Sequence, residues 1–176
     1  MIEIIGLDAD DTLWYNEILY HRAKKTFTKI LGDYGEPQEI KAWLDKTEVR
    51  NIEYYGYGIK SFTLSMIEAA TDISKGQVTG NEVSEIIAIG KKMLKAPVEL
   101  VEGTDETLKQ LSARYDLMLI TKGDLSEQER KISLSGIAEY FRYLEVVGEK
   151  SEASYRKILG QYNLDPTHFM MVGNSL

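Results

Sequence analysis

Ile4-Ile5-Gly6-Leu7-Asp8-Ala9-Asp10-Asp11-Thr12-Leu13-Trp14 sets a short apolar run directly against a cluster of carboxylates. The run is too short for a helix and suits a strand buried on both faces, as in a parallel sheet. Asp8 then stands at the strand's carboxyl end, the rim where open α/β sheets gather ligands. Side chains alternate along an extended backbone, so Asp8 and Asp10 share a side while Asp11 points elsewhere. Two acids on one side of a strand end can bind a divalent cation and divide nucleophilic and acid–base roles between them. The competing reading is a solvated acidic turn after an edge strand, because Asp is a common turn residue. The rest of the chain decides between the two.

Beyond Trp14 the apolar spacing changes from strand to helix. Asn16 is placed to cap a helix with Leu19, Ala23, Phe27 and Ile30/Leu31 on one face, ending near Gly32. Pro37 suits the first turn of a second helix carrying Ile40, Trp43 and Leu44. Tyr54-Tyr55-Gly56-Tyr57-Gly58 reads as a break. A third helix follows with Ile59, Phe62, Met66, Ile67 and Ala70, and a fourth from near Asn81 carries Val83, Ile86, Ile87, Met93 and Leu94 before Pro97. Residues 15–96 therefore form an all-helical block with no convincing strand.

From Val98 the pattern alternates strand and helix. Thr104 is placed to cap a helix with Leu108 and Leu111, and Tyr115–Ile120 is a second buried strand ending in Thr121-Lys122-Gly123-Asp124. A polar helix runs from about Ser126 to Ser135, Tyr143–Val147 is a third strand, and a helix through Tyr155, Ile158 and Leu159 follows Lys150-Ser151. Asp165-Pro166 turns the chain into a last strand, His168–Val172, before Gly173-Asn174-Ser175. The expectation is an α/β core of residues 1–14 and 97–176, a Rossmann-like parallel sheet with helices on both faces, interrupted by the helical insertion. The insertion departs beside the acidic strand end and is expected to serve as a lid that excludes water.

Composition narrows the classes. With 176 residues and 43% hydrophobic content the chain can build a real core. A net charge of −7 argues against a nucleic-acid partner, which needs a basic footprint. No run is apolar enough to span a bilayer, and Met1 leads straight into the strand rather than into a signal segment. The absence of cysteine removes disulfides, thiolate zinc sites and thiol nucleophiles. A cytoplasmic protein with no membrane partner is the plain expectation; whether it is a monomer or a homodimer is left open.

In a parallel sheet the carboxyl ends of all strands meet at one rim, which here collects Asp8, Asp10, Thr121, Lys150 and Gly173-Asn174-Ser175. Carboxylates, a hydroxyl, an ammonium and a polar loop suit phosphoryl transfer, which needs a nucleophile, charge neutralisation and a proton carrier. Alone, Thr121 reads equally as a turn cap and Lys150 as a solvated lysine. Each follows directly on a strand, and together they favour function.

Asp8-x-Asp10-x-Thr12-Leu13 resembles the first motif of the haloacid dehalogenase-like (HAD) hydrolase superfamily. Thr121 is similar to its second motif, Lys150 to its third, Gly173-Asn174-Ser175 to the start of its fourth, and the helical block to the cap that one subgroup inserts between motifs one and two. The resemblance implies a magnesium-dependent phosphatase of a small phosphorylated metabolite. Asp8 would be the nucleophile, forming an aspartyl-phosphate, and Asp10 the acid and then the base. Magnesium would be held by Asp8, the Asp10 carbonyl and Asn174. Thr121 and Lys150 would complete the catalytic set, with Lys122 and Gly123 beside Thr121 at the phosphate. The dehalogenases of the family attack carbon and lack the second acid, so Asp10 tips the reading to phosphatase, with a phosphomutase as the lesser option.

Two departures stand out. Asp11 replaces the usual first-motif glycine, and Asn174 replaces an acid, with the motif's second acid and a fifth strand expected beyond Leu176. The expectation is a piece of a longer chain; if it ends here, magnesium affinity and activity should both be poor. Lys122 reads either as a phosphate contact or as a solvated lysine. The aromatic stretch from Tyr54 reads as packing between cap helices in preference to a substrate pocket in which Lys60 would meet an anionic group. The rival class is a catalytically weak or inactive phosphate-binding domain on the same fold. A response-regulator receiver fails on order, since it carries no helical insertion after its first acidic strand.

Overall fold

Strand β1 (Ile4–Leu7) is buried at every position, as its unbroken apolar sequence requires. A computed structural model describes residues 1–174 and places β1 in the interior of a parallel sheet with β2 (Asp116–Lys122), β3 (Tyr143–Val147) and β4 (Phe169–Val172). The strand order is β3-β2-β1-β4. Register pairs Ile4 with Asp116 and Phe169, and Leu7 with Leu119 and Val172, so β1 and β4 end level with Leu119 while β2 and β3 run three residues further, to Lys122 and Val147. Among the described residues the helices are α1 (Glu17–Ile30), α2 (Pro37–Tyr55), α3 (Ile59–Ile73), α4 (Gly80–Leu94), α5 (Thr104–Ser112), α6 (Leu125–Ser135) and α7 (Glu152–Gln161).

Alternation along the strands divides the core of the sheet unit in two. Ile5, Leu7, Leu117 and Leu119 pack on one face with Leu108 of α5 and Ile132 of α6. Ile4, Met118 and Ile120 pack on the other with Ile158 of α7 and Phe169. Each such aliphatic side chain contributes about 1.5–3 kcal/mol on burial. Helices thus cover both faces, and the α/β fold expected from the sequence is the fold observed. Gly6 is part of the fit, because a Cβ there would lie 2.5 Å from the Phe169 ring.

The chain divides into two units, Met1–Glu17 with Pro97–Leu176, and Ile18–Ala96. The second unit has its own core of Phe27, Leu31, Ile40, Leu44, Phe62, Met66 and Ile86. Gly90 lets α4 approach α3, since a Cβ would meet the Thr63 hydroxyl at 2.1 Å.

Several local expectations are corrected. The start of α1 is capped by Asp11, whose carboxylate accepts from the backbone N–H groups of Asn16 and Glu17 at 2.9 and 3.0 Å, while the Asn16 side chain accepts from Lys131. Thr104 is the first residue of α5 behind a left-handed Gly103, and its hydroxyl donates to the Leu13 carbonyl. Trp43 is exposed, with the Lys46 ammonium over its ring, because α2 buries Ile40, Leu44, Thr47 and Asn51 instead. Ile87 is half-exposed because α4 turns Ile86, Ile89 and Met93 inward. Tyr54 and Tyr55 are exposed at the end of α2, contrary to their expected packing between helices.

Candidate active site

The carboxyl end of β1 carries Asp8, with 8% of its surface exposed. Its backbone N–H continues the sheet by donating to the Val172 carbonyl at 2.9 Å. One carboxylate oxygen, Oδ1, accepts from the Ala9 N–H at 2.7 Å and from the Lys150 ammonium. Both contacts fall on the same oxygen, and among the described residues none donates to Oδ2, whose lone pairs remain for a reacting centre. Lys150 reaches Asp8 from the loop between β3 and α7, whose capping box at Ser151 and Ser154 fixes where the helix begins. Removing one member of such a largely buried ion pair leaves a charge uncompensated, at about 3–5 kcal/mol. Gly173 closes the other side; a Cβ there would stand 2.8 Å from that of Asp8. Tyr155 on α7 senses the same carboxylate: burial first, and then the Asp8 charge, push its hydroxyl pKa above the ordinary tyrosine value.

After Leu7 the extended backbone gives way to a tight turn. The N–H groups of Thr12, Leu13 and Trp14 all donate to the Ala9 carbonyl, at 3.1, 2.8 and 3.4 Å. This turn needs a left-handed residue, and Asp11 supplies it with φ +58°. Aspartate tolerates that region better than most side chains. The Thr12 hydroxyl accepts from the Asn174 N–H at 3.1 Å, which ties the loop after β4 to the loop after β1.

Asp10 is held by groups that sequence reasoning missed. Its carboxylate accepts from Trp14 Nε1 at 2.6 Å, from Gln128 Nε2 at 2.9 Å and from Lys131 Nζ at 2.7 and 3.0 Å. Gln128 and Lys131 come from α6, which turns Glu127, Gln128, Lys131 and Ser135 inward. Lys131 also meets Asn16 Oδ1 at 3.2 Å and Glu127 Oε1 at 3.7 Å. The signal was present in the sequence. Polar residues at positions 127, 128, 131 and 135 repeat with helical spacing directly after the strand bearing Thr121, so a polar face is turned toward the rim.

The remaining candidates are placed as follows. Thr121 lies at the end of β2, 1% exposed, two residues past the partner of Leu7. The Lys122 ammonium pairs with Glu149 Oε1 at 3.3 Å, rather than standing as a purely solvated lysine. Gly123 has φ +148° and lies under Gln128, whose Nε2 would be 2.9 Å from a Cβ there. Lys60 is exposed in the first turn of α3, in the other unit. Ser175 lies outside the described residues.

A family model for haloacid dehalogenase-like hydrolases matches residues 2–176. The chain belongs to the haloacid dehalogenase-like hydrolase family. A haloacid dehalogenase-like family hydrolase from Xanthomonas campestris shares 40% identity at a TM-score of 0.94, over 99% of this chain and 74% of its own. Two more distant structures share the fold. A predicted phosphoglycolate phosphatase from Haemophilus somnus has 18% identity and a TM-score of 0.60, over 98% of this chain and 76% of its own. A 2-haloacid dehalogenase from Pseudomonas syringae pv. Tomato has 19% and 0.66, over 98% and 78%. Among curated proteins none matches this sequence. Since this fold hosts both phosphatases and dehalogenases, the reaction must be argued from the side chains. No helix among the described residues is long and apolar enough to cross a membrane.

The donor set can be tested against the magnesium ion that family members typically use. Among the described residues no three Asp, Glu, His or Cys side chains gather as a metal site. The oxygens on offer are one Asp8 carboxylate oxygen, the Asp10 carbonyl, which the turn leaves aside in favour of that of Ala9, and the Asn174 amide. Magnesium takes oxygen ligands, usually one or two carboxylates, and completes its shell with water and substrate phosphate. The set fits magnesium, as a site of low charge.

Proposed function

We propose that this hydrolase is a magnesium-dependent phosphohydrolase of a small phosphorylated metabolite, working through an aspartyl-phosphate on Asp8. The observation that carries the reading is the second acid: Asp10, two residues beyond an Asp8 whose Oδ2 takes no hydrogen bond from the described residues, is held by its own set of donors. An attack on carbon with halide departure has no use for a proton carrier there, whereas an alkoxide leaving group needs one. Asp8 Oδ2 forms a bond to phosphorus as the bond to the leaving oxygen breaks, and Asp10 gives that oxygen its proton. Asp10 then takes a proton from water as the water oxygen bonds to phosphorus and the Asp8–phosphorus bond breaks.

Lys150 offsets the charge of Asp8 and of the phosphoryl group, and Thr121 offers a hydroxyl to a phosphoryl oxygen. The Asp8 carboxylate, the Asp10 carbonyl and Asn174 would hold magnesium, which when bound supplies neutralisation of phosphoryl charge. Lys122 and Gly123 border the same stretch, with Lys122 restrained by Glu149.

A second reading, phosphate binding without useful turnover, is favoured by the single carboxylate oxygen and the neutral Asn174 in the donor set. The two separate on one experiment: phosphate release from a panel of phosphorylated metabolites and an aryl phosphate, with magnesium or with EDTA. The phosphohydrolase reading expects magnesium-dependent release that Asp8→Asn abolishes. Bound phosphate without release, or release unchanged in Asp8→Asn, contradicts it.

A further inference from the structure

We infer that Lys131 and Gln128, projected three residues apart from one face of α6, are positioning residues that aim the Asp10 carboxylate at the leaving-group oxygen; the inference rests on the phosphohydrolase reading. A carboxylate on a tight turn can rotate about two side-chain torsions, and proton delivery needs it fixed within hydrogen-bond reach of one oxygen. Lys131 Nζ spans both Asp10 oxygens at 2.7 and 3.0 Å, and Gln128 Nε2 takes Oδ2 at 2.9 Å, while Trp14 Nε1 takes Oδ1 from the turn itself at 2.6 Å. Donors on two elements therefore fix both the tilt and the twist of the carboxylate.

The two α6 side chains are themselves oriented. Lys131 is held by Asn16 and Glu127 as well as Asp10. Gln128 Nε2 is shared between Asp10 Oδ2 and the Lys122 carbonyl at 3.2 Å, so its amide cannot turn over without setting oxygen against oxygen. That orientation leaves Gln128 Oε1 buried with no hydrogen-bond partner among the described residues. A buried acceptor left unsatisfied costs stability, and such costs persist where an arrangement serves a site. Gly123 belongs to the same arrangement, because any side chain there would displace the amide.

The role predicts a dependence on the leaving group that a purely structural role would not show. The ratio kcat/KM reports steps up to the first irreversible one, here cleavage of the bond between phosphorus and the leaving oxygen. An alkyl phosphate needs a proton on the departing oxygen, and 4-nitrophenyl phosphate departs as a stable anion without one. Lys131→Met should lower kcat/KM for an alkyl phosphate by about tenfold or more beyond its effect on 4-nitrophenyl phosphate, within the range that general acid catalysis contributes. Gln128→Met, which keeps volume and removes the Oδ2 donor, should show the same bias and carries the test if Lys131→Met fails to fold. Equal losses on both substrates, or no loss, in a folded variant would overturn the inference while leaving the phosphohydrolase reading intact. A wild-type enzyme inert toward both substrates would instead overturn that reading, and this inference with it.

Discussion

Asp11 meets two demands that a glycine at its position would divide. Its backbone takes φ +58° in the turn after β1, and its carboxylate accepts from the N–H groups of Asn16 and Glu17 where α1 begins. Glycine would adopt the turn freely but leave those donors uncapped; alanine would lose the cap and retain the backbone strain. Asp11→Ala should therefore destabilise the protein by about 0.5–2 kcal/mol, the loss of the cap, since the left-handed backbone strain is already present with aspartate. Asp11→Gly should cost less than Asp11→Ala. Thermal unfolding of the two variants checks the order, and equal losses would show that the cap alone matters. At the same scale, Gln128 illustrates a residue whose burial makes sense only beside Asp10: its unpaired Oε1 costs about 1–3 kcal/mol.

At the scale of elements, β1 is a strand whose glycine has a packing reason. Gly6 lies under the Phe169 ring of its neighbour β4, 2.5 Å from where a Cβ would be. Gly6→Ala should push that ring out of the α7 side of the core and cost about 1–3 kcal/mol, read as a lowered denaturation midpoint. A variant as stable as wild type would mean that the ring has free space to move into. The strands were readable because burial on both faces leaves unbroken apolar runs, and β3 falls at Tyr143–Val147 as the pattern indicates. Helix ends were harder to read. Asn16 and Thr104 have the chemistry of caps, yet Asp11, five residues before Asn16, and the left-handed Gly103 fill those places, because a turn brought them there. Trp43 was misassigned since large apolar side chains are taken as core, while α2 buries Thr47 and Asn51, the latter bonded to Ser65 and Glu68. The partners of Asp10 on α6 lie more than a hundred residues away in sequence, and only the parallel sheet brings them to the same rim.

The whole molecule poses an electrostatic problem that its site must solve locally. It carries a net charge of −7, while the proposed substrate is itself an anion. The lysines around the rim are each engaged with a carboxylate: Lys150 with Asp8, Lys131 with Asp10 and Lys122 with Glu149. These pairs offset charge at the site before substrate arrives, and attraction of a phosphate falls to the proposed cation and to rearrangement of the pairs. The most direct measurement of this account is rapid-quench trapping with a substrate labelled in its phosphoryl group, in the presence of magnesium, followed by mapping of the labelled peptide. The account predicts transient label on the peptide containing Asp8, in wild type and not in Asp8→Asn. Turnover without label on Asp8, or label on another residue, would contradict it.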